Sequence, residues 1–327
     1  MMRVLACAAL AAAIMHPRAG AAYDGPVHNA LPAPLLQMAV NGEINAEAIG
    51  VFLTRDRLEI SYRLRSVVEK PVRYWMYLPV PPIGREHRDN ARAFAGDVAI
   101  DPLGLRATWG GNRLDFASGV RATFLGLDVT DGLQRAGLPL APFGPVTAAA
   151  IKALPQSARE DLRGRGILSH WGPMWRLETT YHAGVLFEPG GPLDLRLQYS
   201  PVFGTKVESI MQISGELVYG LDGSKIDFLC LTPEQIASIE NRFRAGRGRD
   251  PYRPYVIRHI EIGLENLNPQ FGSIAKLEFT VEMQGPDDIL AACGGDFRTI
   301  GPKLRQWRAR FAGENRALKL YFLETAD

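Results

Sequence analysis

The sequence predicts a mainly β protein: two β-sandwich-like domains, with a short helical insertion in the first and one helix in the second. Three observations predict it. Apolar residues recur at every second position in five separate stretches, the mark of strands with one buried and one wet face. Glycine-containing pairs suited to positive φ lie between such runs. The runs are short, joined by Gly and Pro, and do not alternate with helices, which favours antiparallel sandwiches over βαβ units.

The elements follow in order. "LEISYRL" puts Leu58, Ile60, Tyr62 and Leu64 on one face, opposite Glu59, Ser61 and Arg63. "VRYWMYL" sets Val72, Tyr74, Met76 and Leu78 against Arg73, Trp75 and Tyr77. Gly110-Gly111 in "ATWGGNRLDF" and Asp222-Gly223 in "ELVYGLDGSKIDFL" are hairpin turns. "LDLRLQY" alternates Leu193, Leu195 and Leu197 with polar residues. "LEFTVEM" does the same with Leu277, Phe279, Val281 and Met283, and "LKLYF" repeats the pattern near the end.

Helices are expected twice. Between about residues 128 and 165 there are three short candidates. "DVTDGLQRAG" ends on Gly137, "PVTAAAIKAL" starts at Pro145, and "SARE" reads as a capping box from Ser157 to Glu160. In "TPEQIASIENRFRAG", Thr232 caps, Pro233 suits the first helical position and Gln235 completes the box. Ile236, Ile239 and Phe243 form its apolar stripe, and Gly246 can end it. The best boundary lies near "SPVFGTKVES", between a sandwich with a helical insertion and a smaller β-rich part holding both cysteines and one helix, and gives domains 22–204 and 205–327.

Residues 1–21 read as a signal peptide. Arg3 is the positive start, residues 4 to 15 are apolar, and Ala19-Gly20-Ala21 is a small-residue cleavage site. The apolar run is shorter than the roughly 20 residues a membrane-spanning helix needs. No later run is long enough, so the mature chain is expected to carry no transmembrane segment and to be periplasmic or secreted, starting at Ala22. The 37 basic and 35 acidic residues become 35 and 35 once Arg3 and Arg18 are removed, which gives no reason to expect a nucleic-acid partner. Cys7 leaves with the same segment. Cys230 and Cys293 remain, and an even pair in an oxidising compartment defaults to a disulfide. It would close a loop of about 64 residues, worth roughly 4 kcal/mol in the chain-entropy model.

Several stretches are similar to an exported bacterial family catalogued as domain of unknown function forty-four twenty-four. They include "LEISYRLRS" with "YLPVPP", "GLDVTDGLQRAGLPLAP", "LRLQYSPVFG", and "FGSIAKLEFTVEMQGPDDILAACGG" with "LKLYFLE" after it. The resemblance implies an exported two-domain β-protein cross-linked between Cys230 and Cys293. It brings no established activity. The chain departs from the family at Tyr23-Asp24-Gly25, where members tend to carry Asn-Asp-Ser, and at "NAEAIG", where members often carry an acidic stretch.

The common catalytic constellations are missing from the sequence. There is no His-Glu-x-x-His, no Gly-x-Ser-x-Gly elbow and no phosphate loop. His28, His87, His170, His182 and His259 are not at close metal-ligand spacing. No catalytic residue, metal or cofactor is therefore expected. Asp128 with Asp131 reads as helix capping, and Asp287 with Asp288 as a turn.

Two stretches remain as candidate binding sites. "SHWGPMWRLETTYH" gathers His170, Trp171, Trp175, Tyr181 and His182, either as a ligand platform or as an aromatic plug sealing the sandwich beneath the helices; the plug is favoured. Arg242, Arg244, Arg247, Arg249, Arg253 and Arg258 crowd a helix end and loop, as an anion-binding patch or, in the favoured reading, a solvated run. The expected function is that of a non-enzymatic binding or structural envelope protein, its partner a protein, peptide or glycan. The alternative is a hydrolase of envelope glycan or peptide with a site assembled from distant segments.

Overall fold

A computed structural model describes residues 30–38, 42–88, 101–213, 216–219, 224–245, 254–264, 267, 274–309 and 317–325. The signal-peptide segment, the Asp222-Gly223 turn and Gly246 lie outside the described residues.

The first strands are β1 (Gln37–Met38), β2 (Ile44–Leu53), β3 (Leu58–Ser66) and β4 (Val72–Ile83). Next come β5 (Arg106–Trp109), β6 (Asn112–Arg113), β7 (Ala117–Phe124) and β8 (Leu127–Asp128). The insertion holds α1 (Thr130–Arg135), α2 (Pro145–Ala153) and α3 (Gln156–Gly164). A small hairpin, β9 (Leu168–Ser169) and β10 (Gly172–Pro173), leads into β11 (Arg176–Phe187) and β12 (Pro192–Tyr199). Then follow β13 (Gly204–Ile213), β14 (Glu216–Tyr219), β15 (Ser224–Lys225) and α4 (Pro233–Ala245). The chain continues through β16 (Pro254–Gly263), β17 (Leu277–Glu282) and β18 (Ile289–Cys293). It ends with β19 (Arg298–Thr299), β20 (Leu304–Ala309) and β21 (Ala317–Thr325).

Three larger sheets result. A five-stranded sheet runs β1-β4-β11-β7-β8, an eight-stranded one β19-β20-β17-β2-β3-β12-β5-β6, and a six-stranded one β15-β14-β13-β16-β21-β18. The expected alternation decides which residues face inward. Leu58, Ile60, Tyr62 and Leu64 of β3, Met76 and Leu78 of β4, and Leu195 and Leu197 of β12 are all buried. They share one cluster with Ile260, Ile262, Leu318, Leu320 and Phe322 of the six-stranded sheet. Gly110 and Gly111, at φ 56° and 85°, make the tight turn between β5 and β6.

The eight-stranded sheet crosses the expected division at 204/205. β17 lies parallel to β2, Leu277 beside Ile49 and Val281 beside Leu53, so strands from both halves of the sequence share one sheet. Alternation fixes which face of β17 is buried but says nothing about its partner, and an antiparallel arrangement was expected throughout. The six-stranded sheet is covered on both faces. Leu318, Leu320 and Phe322 face the large core, while Tyr321 and Leu323 face a second cluster with Ile239 of α4, Leu229 and Ile289. That is why "LYFL" is a continuous apolar run.

Capping follows the sequence at one helix and departs from it at another. Before α4, the Gln235 amide N–H donates to Thr232 Oγ1 at 3.3 Å and the Thr232 amide N–H donates to Gln235 Oε1 at 2.9 Å, a reciprocal box. In α3 the N-cap is Pro155 and Ser157 is already inside the helix; Gln156 Nε2 instead donates to Glu160 Oε1 at 2.8 Å. The Pro155 ring has fixed the turn two residues earlier than the Ser–Glu spacing suggests.

Cys230 and Cys293 are bonded, with Cα atoms 5.4 Å apart. The link joins the short 3-10 turn Asp227–Leu229, just before α4, to the end of β18. Gln235 Nε2 also donates to the Leu290 carbonyl at 2.6 Å, holding α4 to the same strand.

An N-terminal strap, residues 30 to 36, is built into the core. Leu31 N donates to Val202 O at 3.0 Å, and Ala33 N to Glu261 O at 2.7 Å. Tyr199 Oη donates to Pro34 O at 2.7 Å, and Leu36 N donates to Tyr62 Oη at 3.2 Å. Burial pushes both phenols well above their ordinary pKa, so they remain protonated hydrogen-bonding groups. His87, 5% exposed, accepts from Gly84 N at Nδ1 at 3.1 Å and hydrogen-bonds the Ala30 backbone. Burial lowers its pKa, against the opposing pull of Glu86, and Arg176 beside Glu86 adds to the lowering.

The folded state favours neutral His87, so its contribution is complete above the unfolded value of about 6.5 and falls away as pH drops below it. Urea melts between pH 8 and pH 5 should show stability declining below about pH 6.5. His87→Gln should flatten that decline. An unchanged slope in the variant would contradict the assignment.

Candidate functional site

An opening of about 980 Å³ lies at one end of the sandwich. It is bordered by the loop before β5, β5 itself, the β6–β7 connection, the end of β12 and the β2–β3 turn. The alternation of β11 turns odd-numbered residues inward, which brings Tyr181 to this cleft.

Asp101 organises the loop beside Tyr181. Its Oδ1 accepts from Gly104 N at 2.9 Å, from Leu105 N at 3.2 Å and from Tyr181 Oη at 2.5 Å. Gly104 has φ 64°, the left-handed conformation the loop needs to turn back onto the carboxylate. Leu103 N donates to Tyr181 Oη at 3.4 Å. Burial, then the Asp101 carboxylate, pushes the Tyr181 phenol far above its ordinary range. It stays protonated at neutral pH and its proton is committed to Asp101. Tyr181 and Asp101 therefore act as a rigid wall rather than as an acid–base pair.

The rim carries charge. Arg113 Nε and Asp115 Oδ1 pair at 2.7 Å, both largely exposed, and such pairs contribute little. The Arg57 guanidinium lies 5.7 Å from the centre of the Phe52 ring. The Arg106 guanidinium has no ion pair or hydrogen bond among the described residues, and Asp56 completes the charged set. Arginine forks suit carboxylate or phosphate groups, so the rim can hold a polar anion above a fixed floor.

The structure disperses the aromatic stretch. Trp175 is fully buried and Nε1 donates to Leu140 O at 2.8 Å. It packs among Ala122 of β7, Leu133 of α1 and Leu162 of α3, pinning the insertion to the sheet. Trp171 is 67% exposed at the β9–β10 turn, with the His170 ring 4.4 Å away. Tyr181 faces inward, and His182 faces outward beside Trp75. One residue of strand puts the last two on opposite faces of a sheet, so the five side chains cannot form one platform.

The arginine run is also divided. Arg247, Arg249 and Arg253 lie outside the described residues. Arg242 donates to the Asp287 carbonyl, Arg244 meets Glu240 at 3.3 Å, and Arg258 pairs with Glu324 at 3.0 Å. Asp288 stands in a turn, its Oδ2 accepting from Gly285 N at 2.6 Å. The expected capping by Asp128 and Asp131 is not made: the N-cap of α1 is Val129 with no side-chain capping bond, and Asp128, one residue earlier, accepts at Oδ1 from Thr130 N at 2.9 Å in a local turn. Thr130 holds the exposed Asp128 carboxyl below its usual range. Among the described residues, no cluster of three His, Cys, Asp or Glu could hold a metal ion, and no helix is long and apolar enough to cross a membrane.

Sequence reasoning missed Asp101, Arg106 and Arg57. Asp101 had a local signal, since "DPLG" has the Asp, Pro and Gly of a turn in which the carboxylate accepts backbone N–H groups. The two arginines had none, because the fold alone brings the β2–β3 turn to the end of β5.

The solved structures give only loose likenesses. A Legionella pneumophila protein described as a "putative nutrient binding protein" is 10% identical, with TM-score 0.43, over 90% of this chain and 72% of that one. Yeast LTA4 hydrolase is 8% identical, with TM-score 0.29, over 85% of this chain and 29% of that one. An M1 zinc metallopeptidase of Deinococcus radiodurans is 10% identical, with TM-score 0.26, over 86% and 42%. At these scores the likenesses carry no functional argument. No curated protein matches the chain. A family profile does, over residues 30–312. That span takes in strands of all three large sheets, and the chain belongs to the family described as Domain of unknown function (DUF4424).

Proposed function

We propose that the protein is an exported binding protein whose cleft holds a small polar anion without transforming it. The observation that carries this reading is the contrast within the cleft. The Asp101–Tyr181 floor is locked by its own hydrogen bonds, while Arg106 on the rim has no partner among the described residues. A rigid floor beside an uncommitted guanidinium suits recognition, because little must be reordered when a ligand arrives. The apolar run and cleavage site at the start of the sequence, and the disulfide, support location in an oxidising compartment outside the cytoplasm.

Calorimetric titration with citrate, glutamate and inorganic phosphate tests the cleft. At least one should bind, and Arg106→Ala should weaken it by about 1.5–3 kcal/mol, the range for hydrogen bonds to charged groups. Arg113→Ala should matter far less, since Arg113 already has Asp115. Equal effects of the two substitutions would contradict the reading.

A further inference from the structure

We propose that the outer face of the five-stranded sheet is a glycan-binding platform, on which the indole of Trp75 stacks against the C–H face of a pyranose ring. This site is separate from the cleft. The cleft takes Tyr181 from the inner face of β11, whereas the platform uses the outer face of the same strand.

Trp75 lies in the middle of β4, directly opposite Gly184 of β11, and is 51% exposed. Its posture can be read from distances. A Cβ placed on Gly184 would stand 3.7, 3.8 and 3.8 Å from Cζ3, Cε3 and Cη2 of the indole. A point beside the ring edge could not be almost equally far from three consecutive ring atoms; a point above the ring face can. The six-membered ring therefore lies flat over Gly184, whose missing side chain leaves a shallow seat for it. The opposite π face is turned to solvent.

Hydrogen-bonding groups surround that face. His182, two residues before Gly184, has its ring centre 6.0 Å from the Trp75 ring, tilted by 49°. Tyr77 sits opposite His182, and Gln37 of β1 sits opposite Tyr77. Exposed Arg73 lies two residues before Trp75 on the same face, opposite Leu186. The indole and Leu186, 44% exposed and two residues after Gly184 on the same face, make the apolar surface, and Tyr77, His182, Gln37 and Arg73 border it with donors and acceptors.

This pattern suits one sugar ring better than a protein partner. A stable protein interface needs roughly 1,200 Å² or more with an apolar centre. Here the exposed large apolar side chains beside Gly184 are Trp75 and Leu186, with Arg73, His182 and Tyr77 next to them, too few to make such a centre. A β-linked glucose or N-acetylglucosamine unit carries its hydroxyl or amide groups equatorially. It offers a flat C–H face to the indole and a polar perimeter to Tyr77, His182, Gln37 and Arg73. Aromatic rings with one apolar face and adjacent polar handles serve this kind of contact.

Saturation-transfer NMR on the purified full chain, with chitotetraose and cellotetraose as probes, tests the proposal. At least one tetrasaccharide should bind, with transfer to its ring C–H protons. Trp75→Ala should weaken binding about tenfold, and Trp75→Phe by less. Trp171→Ala, which removes the other exposed indole, should leave it unchanged. Melting temperatures of the Trp75 variants should stay close to the parent, since the ring is on the surface. Failure of both sugars to bind, or unchanged affinity in Trp75→Ala, would overturn the platform. Arg106→Ala should retain sugar binding; its loss there would place the sugar in the cleft and also overturn the platform, leaving the anion reading to its own titration.

Discussion

Trp175→Ala should destabilise the protein by about 3–5 kcal/mol, the cost of truncating a buried large aromatic. Trp175 is the largest fully buried side chain of the fold. Its ring fills the space between α1, α3 and β7, and its indole N–H satisfies the Leu140 carbonyl. Truncation leaves a cavity and an unpaired carbonyl together. Trp171→Ala, four residues earlier, should change stability by no more than about 0.5 kcal/mol, because that ring projects into water at a hairpin turn. Urea titration of both variants checks the pair, and similar losses would contradict the packing described for the insertion.

Loss of the Cys230–Cys293 bond should cost about 4 kcal/mol, from the entropy the open loop regains when unfolded. The residues are separated by 63 positions, and the bond ties the turn before α4 to β18. Cys230 itself has φ 51°, a conformation most side chains avoid at a cost of roughly 1–2 kcal/mol. The double variant Cys230→Ser/Cys293→Ser keeps that local cost and loses the cross-link. Hydrogen exchange should then speed up in α4 and β18 before the five-stranded sheet, whose strands belong to the other core. Equal stability with and without reductant would contradict this.

Much of the fold was legible because alternation is a local property. Leu58 to Leu64, Val72 to Leu78 and Leu193 to Leu197 each declared a strand and its buried face. The α4 box, Thr232 with Gln235, was legible for the same reason: both partners lie within one turn. Partners far apart in sequence were not. Nothing in "LEFTVEM" says that it lies parallel to residues 49 to 53, and nothing in "LPAPLL" says that it threads between Tyr62 and Tyr199. The candidate sites show the same limit. Proximity in sequence suggested that His170 to His182 acted together, but strand geometry sends Tyr181 and His182 to opposite faces. His182 finds its indole in Trp75, more than a hundred residues earlier. Arg106 and Asp101 meet at the cleft only because Gly104 turns the loop between them.

Native mass spectrometry of the protein isolated from its own host checks both halves of the proposed function, export and a small anion held in the cleft. A chain beginning at or near Ala22 is expected, lacking the two thiol hydrogens of Cys230 and Cys293, with a non-covalent small-molecule adduct that disappears in Arg106→Ala. A chain retaining Met1, with two free thiols and the same spectrum for parent and Arg106→Ala, would contradict it.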